Sequence, residues 1–360
     1  MNILMLSWKD IKHPFKGGAE VYTHEMLKQL VKKGYKITWF GSAWSGCKHE
    51  EVIDGIKIIR AGSFLSVYWN AYKYYKKMFK GNFDIVIDQI NTIPFFTPLF
   101  VKEKKISLIF QLAHNVWFSE LSFPLSLVGY LAELFYLNLY RNQKTITISN
   151  SSKSDLMRLG FKDVKIVPVG LSFKPLKKVP KKNKDFTVLF VGRLKKSKRV
   201  HDVIKAFSKV SDKNKKARLQ IVGSGVYELQ LRSLVNKLGL LNKVKFFGFV
   251  SESKKKELMG KAHIICVASK REGWGMIVTE ANACGTPAIV YNVPGLRDAV
   301  HDGYNGFVAK KNNPESLSDL MINLSDNKDY TKLCMNSLNY AIKFDWNIAA
   351  KEFEKVLKNV

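Results

Sequence analysis

The sequence predicts an α/β protein made of two successive parallel-sheet domains. Three observations point there. Short apolar runs alternate with stretches of helical periodicity. The alternation stops at a lysine- and proline-rich segment, residues 174–185, and then restarts. The chain has 360 residues, 46% of them hydrophobic, enough for a core in each half.

The elements follow in order. Asn2–Ser7 is a short apolar run, read as the first strand. Over Gly17–Lys33, apolar residues recur at Val21, Met26, Leu27, Leu30 and Val31, which marks an amphipathic helix closed by Gly34. Lys36–Gly41 is the next strand, and Ile56–Ala61 follows the Asp54-Gly55 turn. Phe83–Gln89, Ile106–Leu112 and Thr145–Ser149 complete the first set. Residues 174–184 then hold six lysines with Pro175 and Pro180, the composition of a solvated linker. The second set comprises Phe186–Val191, Arg218–Val222, Val244–Phe247, Ala262–Ala268 and Ala288–Tyr291. Helical stretches between strands imply parallel pairing with helices on both faces. Ala349–Leu357, after Asp345-Trp346-Asn347, is a terminal amphipathic helix.

Composition narrows the function. Lysine and arginine total 59 against 30 acidic residues, a net charge of +29. Three readings compete: general surface lysine enrichment, attraction to an anionic membrane or lipid-phosphate acceptor, and nucleic-acid binding. No recognition motif accompanies the charge, which argues against nucleic acid as a partner. Cys47, Cys266, Cys284 and Cys334 form no CxxC pair and read as thiols of a reducing compartment. The N-terminus lacks the basic start and long apolar core of a secretory signal. Phe123–Tyr140 is interrupted by Gly129, Glu133 and Asn138, too broken to span a bilayer comfortably. A cytoplasmic protein, peripheral on a membrane face, is expected.

The chemistry concentrates at Arg271-Glu272-Gly273-Trp274-Gly275-Met276-Ile277-Val278-Thr279-Glu280. Two carboxylates stand eight residues apart, one before a Gly-Trp-Gly turn and one on the helix it opens. Glycines admit a ligand close to the backbone, and first-turn amides are unpaired donors. Such a set grips hydroxyls. Val191-Gly192-Arg193-Leu194-Lys195-Lys196-Ser197-Lys198 adds cations after a strand, Gly17-Gly18-Ala19-Glu20 opens the first helix, and Gln111-Leu112-Ala113-His114-Asn115-Val116-Trp117 puts a histidine past a strand end. Each also has a plain alternative: a solvated lysine run, an ordinary glycine turn, a structural histidine, and Glu20 capping its own helix.

Together these segments resemble glycosyltransferase family 4, retaining enzymes that use nucleotide sugars. The resemblance implies a GT-B fold: two Rossmann-like domains with parallel sheets facing a central cleft. The implied boundaries are 1–173 for acceptor binding, 174–185 as linker, and 186–339 for the nucleotide sugar. A helix at about 340–360 would return to the first domain. Glu272, His114, Arg193 and Lys198 are the implied catalytic set. Glu272 would bind a sugar hydroxyl, His114 would lie beside the donor sugar, and Arg193 with Lys198 would neutralise the diphosphate. Glu280 would accept the ribose hydroxyls. Gly17, Gly18, Gly192, Gly223, Gly225, Phe249, Val250, Gly273, Trp274, Gly275, Met276 and Ile277 complete the expected donor site. The sequence departs from the family at Arg199, where glycine is usual, and at Asn115, where aspartate often stands.

The implied reaction moves a hexose-type sugar from a nucleotide-diphosphate sugar, with UDP or GDP as nucleotide, to an acceptor hydroxyl on a lipid-linked, glycolipid or polysaccharide substrate. No Asp-x-Asp pair occurs, so no metal or other cofactor is expected. A non-transferring enzyme such as a nucleotide-sugar epimerase, or a basic anionic-surface binder, are the other classes left open. Basic, aromatic-rich Phe64–Lys80 and apolar Phe118–Tyr140 are candidates for the acceptor or membrane face. Phe64–Lys80 reads more simply as an ordinary helix with aromatics inward and lysines in water.

Overall fold

The computed structural model describes residues 1–360. It comprises two units: Met1–Ser172 together with Phe344–Val360, and Phe173–Lys343.

Unit 1 is built on an eight-stranded sheet of β1 (Asn2–Leu6), β2 (Lys36–Gly41), β3 (Glu50–Ile53), β4 (Ile56–Arg60), β5 (Ile85–Ile90), β6 (Lys104–Ile109), β7 (Lys144–Thr147) and β8 (Asp163–Ile166). Its order is β3-β4-β2-β1-β5-β6-β7-β8. Only β3–β4 is antiparallel, a hairpin over Asp54 and Gly55, both at positive φ. All six residues of β5 are buried, as a central parallel strand demands. Unit 2 carries β9 (Thr187–Val191), β10 (Arg218–Val222), β11 (Val244–Gly248), β12 (Ile264–Val267), β13 (Ala288–Val290) and β14 (Gly306–Val308). These form an all-parallel sheet in the order β11-β10-β9-β12-β13-β14.

Strand order reverses between β1 and β5 and between β9 and β12. In open parallel sheets ligands bind beyond the C-terminal strand ends at such a switch point. Three candidates lie there, Gly17 after β1, Gly192 after β9 and Glu272 after β12; His114 follows β6, one strand beyond the reversal.

Three strands carry too weak a pattern to be read from the sequence. β3 contains Glu50 and Glu51, and β8 and β14 are four and three residues long. The segment 174–185 also differs from a solvated tether. The Leu176 amide donates to the Ala283 carbonyl at 2.8 Å. The Lys182 ammonium is buried and donates to Gly260 O, Gly285 O and Thr286 Oγ1 at 3.0, 2.9 and 2.7 Å. Those carbonyls end the helices Glu252–Lys261 and Met276–Ala283, where a cation suits the helix dipoles. Burial lowers the Lys182 pKa to about 8.

The terminal helix Trp346–Lys358 packs within unit 1. A Cβ at Gly170 would fall 2.4 Å from the Trp346 ring, and that ring meets Tyr22 edge-on at 5.5 Å. No helix is long and apolar enough to cross a membrane.

Candidate functional site

In unit 2 the ends of four adjacent strands are bound to one another through their backbones. The Gly192 amide donates to Val222 O at 3.0 Å, Leu194 N to Ser224 O at 2.9 Å, and Tyr227 N to Leu194 O at 3.0 Å. This zip explains Gly223 and Gly225. A Cβ on Gly223 (φ +123°) would sit 2.0 Å from Gly192 O, and one on Gly225 would sit 2.4 Å from Leu194 O. Both glycines are required by backbone approach. Gly223 also donates to Gly248 O at 2.8 Å, which brings in the end of β11. Beyond it Phe249 projects into solvent, 88% exposed, while Val250 packs against the core.

The loop after β12 joins the same cluster. Lys270 N donates to Ser197 O at 2.8 Å, and Glu272 N donates to Pro294 O at 3.1 Å. A Cβ on Gly295 (φ +80°) would strike Glu272 O at 2.1 Å. The Glu272 carboxylate accepts from Ser269 Oγ at 2.7 Å and pairs with the Lys198 ammonium. Arg193 is exposed at the end of β9. Gly273 follows Glu272 into the turn. Gly275, at φ +94°, opens the helix Met276–Ala283, so the amides of Met276 and Ile277 lie in its unpaired first turn. Trp274 Nε1 donates to Thr279 Oγ1 at 2.9 Å, pinning the turn to that helix.

Glu280, one turn on, is largely buried. Burial raises its pKa, and Lys255 opposes that rise. Lys255 Nζ lies 2.8 Å from Glu280 Oε2 and 2.8 Å from Glu252 Oε2. Sequence reading missed Lys255 altogether. It is one of three consecutive lysines, and only the fold selects which of them faces inward.

Arg199, where glycine is usual, holds a left-handed conformation with φ +49° and ψ +38° at the N-cap of the helix Val200–Lys213. The glycine preference is therefore conformational. Arginine is retained here by its partners: its guanidinium lies 2.6 Å from Asp202 Oδ2 and 4.9 Å from the Tyr291 ring centroid.

Unit 1 holds its candidates differently. Gly17 has an extended backbone, open to any residue, and its amide donates to Glu20 Oε2. That amide is occupied by the capping carboxylate, as in the plain alternative for Glu20. Glu20 is buried and also lies 3.3 Å from Lys9 Nζ. Gly18 is the first residue of the helix Gly18–Lys32. The loop before it is tied to β4 by the buried pair Asp10–Arg60, with contacts of 2.5 and 2.9 Å. His114 also adopts a left-handed backbone, φ +42°. Its amide donates to Glu133 Oε2 at 2.8 Å, the Ala113 amide to Glu133 Oε1 at 2.6 Å, and Trp117 Nε1 to Glu133 Oε2 at 3.1 Å. Glu133, 5% exposed, lies on the helix Leu125–Leu137. A Cβ on Gly129, one turn earlier, would fall 2.6 Å from the Trp117 ring. Two of the three breaks in the apolar stretch, Gly129 and Glu133, are thus the residues that seat the histidine loop.

The same helix exposes Leu125, Val128, Leu131 and Phe135, beside exposed Phe118, Leu121 and Phe123. The helix Ser66–Tyr74 and its π-helical extension Tyr75–Phe79 bury Tyr75 and Phe79 but expose Trp69 and Met78 among lysines. Lys73 lies over the Trp69 ring at 5.4 Å. No three His, Cys, Asp or Glu side chains gather as a metal-binding group.

Known proteins match this architecture over its full length. Residues 16–173 match the family described as Glycosyltransferase Family 4, and residues 173–344 match Glycosyl transferases group 1. Uncharacterised glycosyltransferases of Methanocaldococcus jannaschii are similar in sequence. One is 28% identical over 62% of each chain, and another is 27% identical over 96% of each. Sucrose-phosphate synthase of Thermosynechococcus elongatus superposes with a TM-score of 0.83 at 19% identity, covering 99% of this chain and 98% of the other. HepE of Anabaena, solved with UDP and glucose, gives 0.77 at 17% identity over the whole of both chains. With both halves matched in sequence and the two-sheet GT-B architecture matched in structure, the chain belongs to glycosyltransferase family 4.

Proposed function

We propose that this glycosyltransferase moves a hexose-type sugar from a nucleotide-diphosphate sugar to an acceptor hydroxyl, with retained anomeric configuration and without a metal ion. One observation carries the reading. The loops ending β9, β10, β11 and β12 are bound together in unit 2, and they bring Arg193, Lys198, Glu272 and the first turn of the helix Met276–Ala283 to one strand-end cluster. Cations and first-turn amides suit a diphosphate, and carboxylates suit hydroxyls. The UDP-glucose complex of the structurally similar HepE supports a nucleotide-sugar donor.

In this reading Glu280 accepts the ribose hydroxyls and Glu272 a sugar hydroxyl. Lys198 then exchanges its carboxylate partner for the donor phosphate. Arg193 and Lys198 offset the charge that develops on the leaving diphosphate, which takes the acceptor proton. The acceptor carries a lipid, and the enzyme works at an anionic membrane surface. The exposed apolar side chains of residues 118–135 and the lysine-flanked Trp69 support that part.

The test is a thermal-shift screen with UDP-, GDP- and ADP-sugars in the presence of EDTA. Stabilisation by one nucleotide class is expected, and Glu280→Ala should remove it. A folded protein that shifts with none of them sinks the donor assignment.

A further inference from the structure

Glu280 sits in the donor half-site with its Oε2 fully buried, and its setting poses an electrostatic difficulty. An ionised carboxylate at low exposure is costly unless a cation accompanies it. Glu280 must nevertheless be ionised to accept two ribose hydroxyls. The side chains of Lys255 and Glu280 are 15% and 17% exposed, and the ammonium lies 2.8 Å from Oε2. The approach falls outside good hydrogen-bond angles, so charge more than direction holds the pair. Lys255 is placed by the N-cap of its own helix, Glu252–Lys261. Ser251 Oγ accepts from Lys254 N at 3.2 Å, and Lys255 N donates to Ser251 O at 2.8 Å. Val250, at the end of the β11 loop, directly precedes that cap.

We infer that Lys255 is the positioning residue of the nucleoside subsite: it keeps Glu280 ionised and occupies Oε2, leaving Oε1 for the ribose. The inference rests on the donor reading above. Other charged or titratable groups facing Glu280 are Glu252 and Lys256 on the lysine's helix and Cys284 at the end of its own. Glu252 is exposed and Lys256 stacks on Phe173 at 4.1 Å, so Lys255 is the cation in contact. The sign of the pH effect follows. Burial already raises the Glu280 pKa against the opposing pull of Lys255. Removing the ammonium raises it further, so nucleotide binding fails at a higher pH.

The experiment titrates UDP and GDP against wild type, Lys255→Met, Lys255→Arg and Glu280→Gln across pH 5–8 by calorimetry. For Lys255→Met, the affinity at neutral pH should fall about tenfold, the order of one charge-assisted contact. Its acid limb should move to higher pH, and Lys255→Arg should restore both. A lysine that merely braces the fold would lower melting temperature without moving the acid limb. Wild-type affinity and an unmoved limb in Lys255→Met, with Glu280→Gln impaired, overturn the inference alone. Wild-type affinity in Glu280→Gln, or no binding of either nucleotide by wild type, overturns the donor reading beneath it.

Discussion

The two units present their candidate residues at the same place, the C-terminal strand ends, but hold them by opposite means. In unit 2 backbone grips backbone: Gly223, Gly225 and Gly295 let four loops approach to hydrogen-bonding distance. In unit 1 buried carboxylates grip the loops. Asp10 takes Arg60, Glu20 takes the Gly17 amide, and Glu133 takes two amides and an indole. Asp88, fully buried in β5, accepts from Tyr140 OH at 2.6 Å and Thr97 Oγ1 at 2.9 Å. A glycine zip is rigid and leaves few side chains in the way of a ligand. A carboxylate grip is adjustable and depends on charge. Under the proposed function, the difference suits a fixed surface for the donor in one unit and a more variable one in the other.

The largest effect expected is at the buried pair of unit 1. Asp10→Asn leaves Arg60 with only Glu51 as counter-charge and should cost about 3 kcal/mol of stability, read as a shift in urea midpoint. A loss under about 1 kcal/mol would show that unit 1 does not rely on its carboxylates. Next is Gly223→Ala. Its Cβ meets a carbonyl at 2.0 Å from a positive-φ position, so the loops must part, at a cost of about 2–3 kcal/mol and with weaker nucleotide binding. Unchanged nucleotide affinity in that variant would separate the zip from the donor site. Glu133→Gln keeps the shape but removes the charge from all three contacts and turns an NH2 towards at least one N–H donor, about 1–2 kcal/mol, and turnover should fall more than donor affinity.

The smallest effect divides the units by pH. Burial and the nearby Lys182 charge depress the His263 pKa in unit 2 to about 4, and its Nδ1 accepts from Thr187 N at 3.0 Å. A depressed folded pKa means that the unfolded chain binds more protons. The stability is therefore present above pH 6.5 and lost as pH falls through about 4. Asp88 in unit 1 runs the other way. Burial raises its pKa, so acid relieves a cost there. His263→Gln should consequently lose less melting temperature than wild type between pH 6.5 and 4; parallel acid curves would remove His263 from the account.

Much of the unit 2 site was legible because it is local. Glu272, the Gly-Trp-Gly turn and Glu280 lie within one short segment, and glycine after a strand announces a close backbone. Gly223 and Gly225, expected in the donor site, each also face a neighbouring backbone, which the sequence did not announce. The unit 1 grips were not legible. Asp10 and Arg60 are 50 residues apart, Glu133 is 19 from His114, and each looks like an ordinary charged residue in its own window. Gly129 and Glu133 read as flaws in an apolar stretch, and Lys255, one of three consecutive lysines, drew no reading.

The sequence by itself determined the α/β class, the two-sheet organisation and the motif-bearing loops, because periodicity and glycine spacing act over a few residues. Tertiary structure alone decided which charges meet. It paired Lys198 with Glu272 and Lys255 with Glu280, set Glu133 beneath His114, and gave Lys182 two helix ends to cap. Coulomb attraction and desolvation depend on through-space distance and burial, and neither is fixed until the strands have found their neighbours.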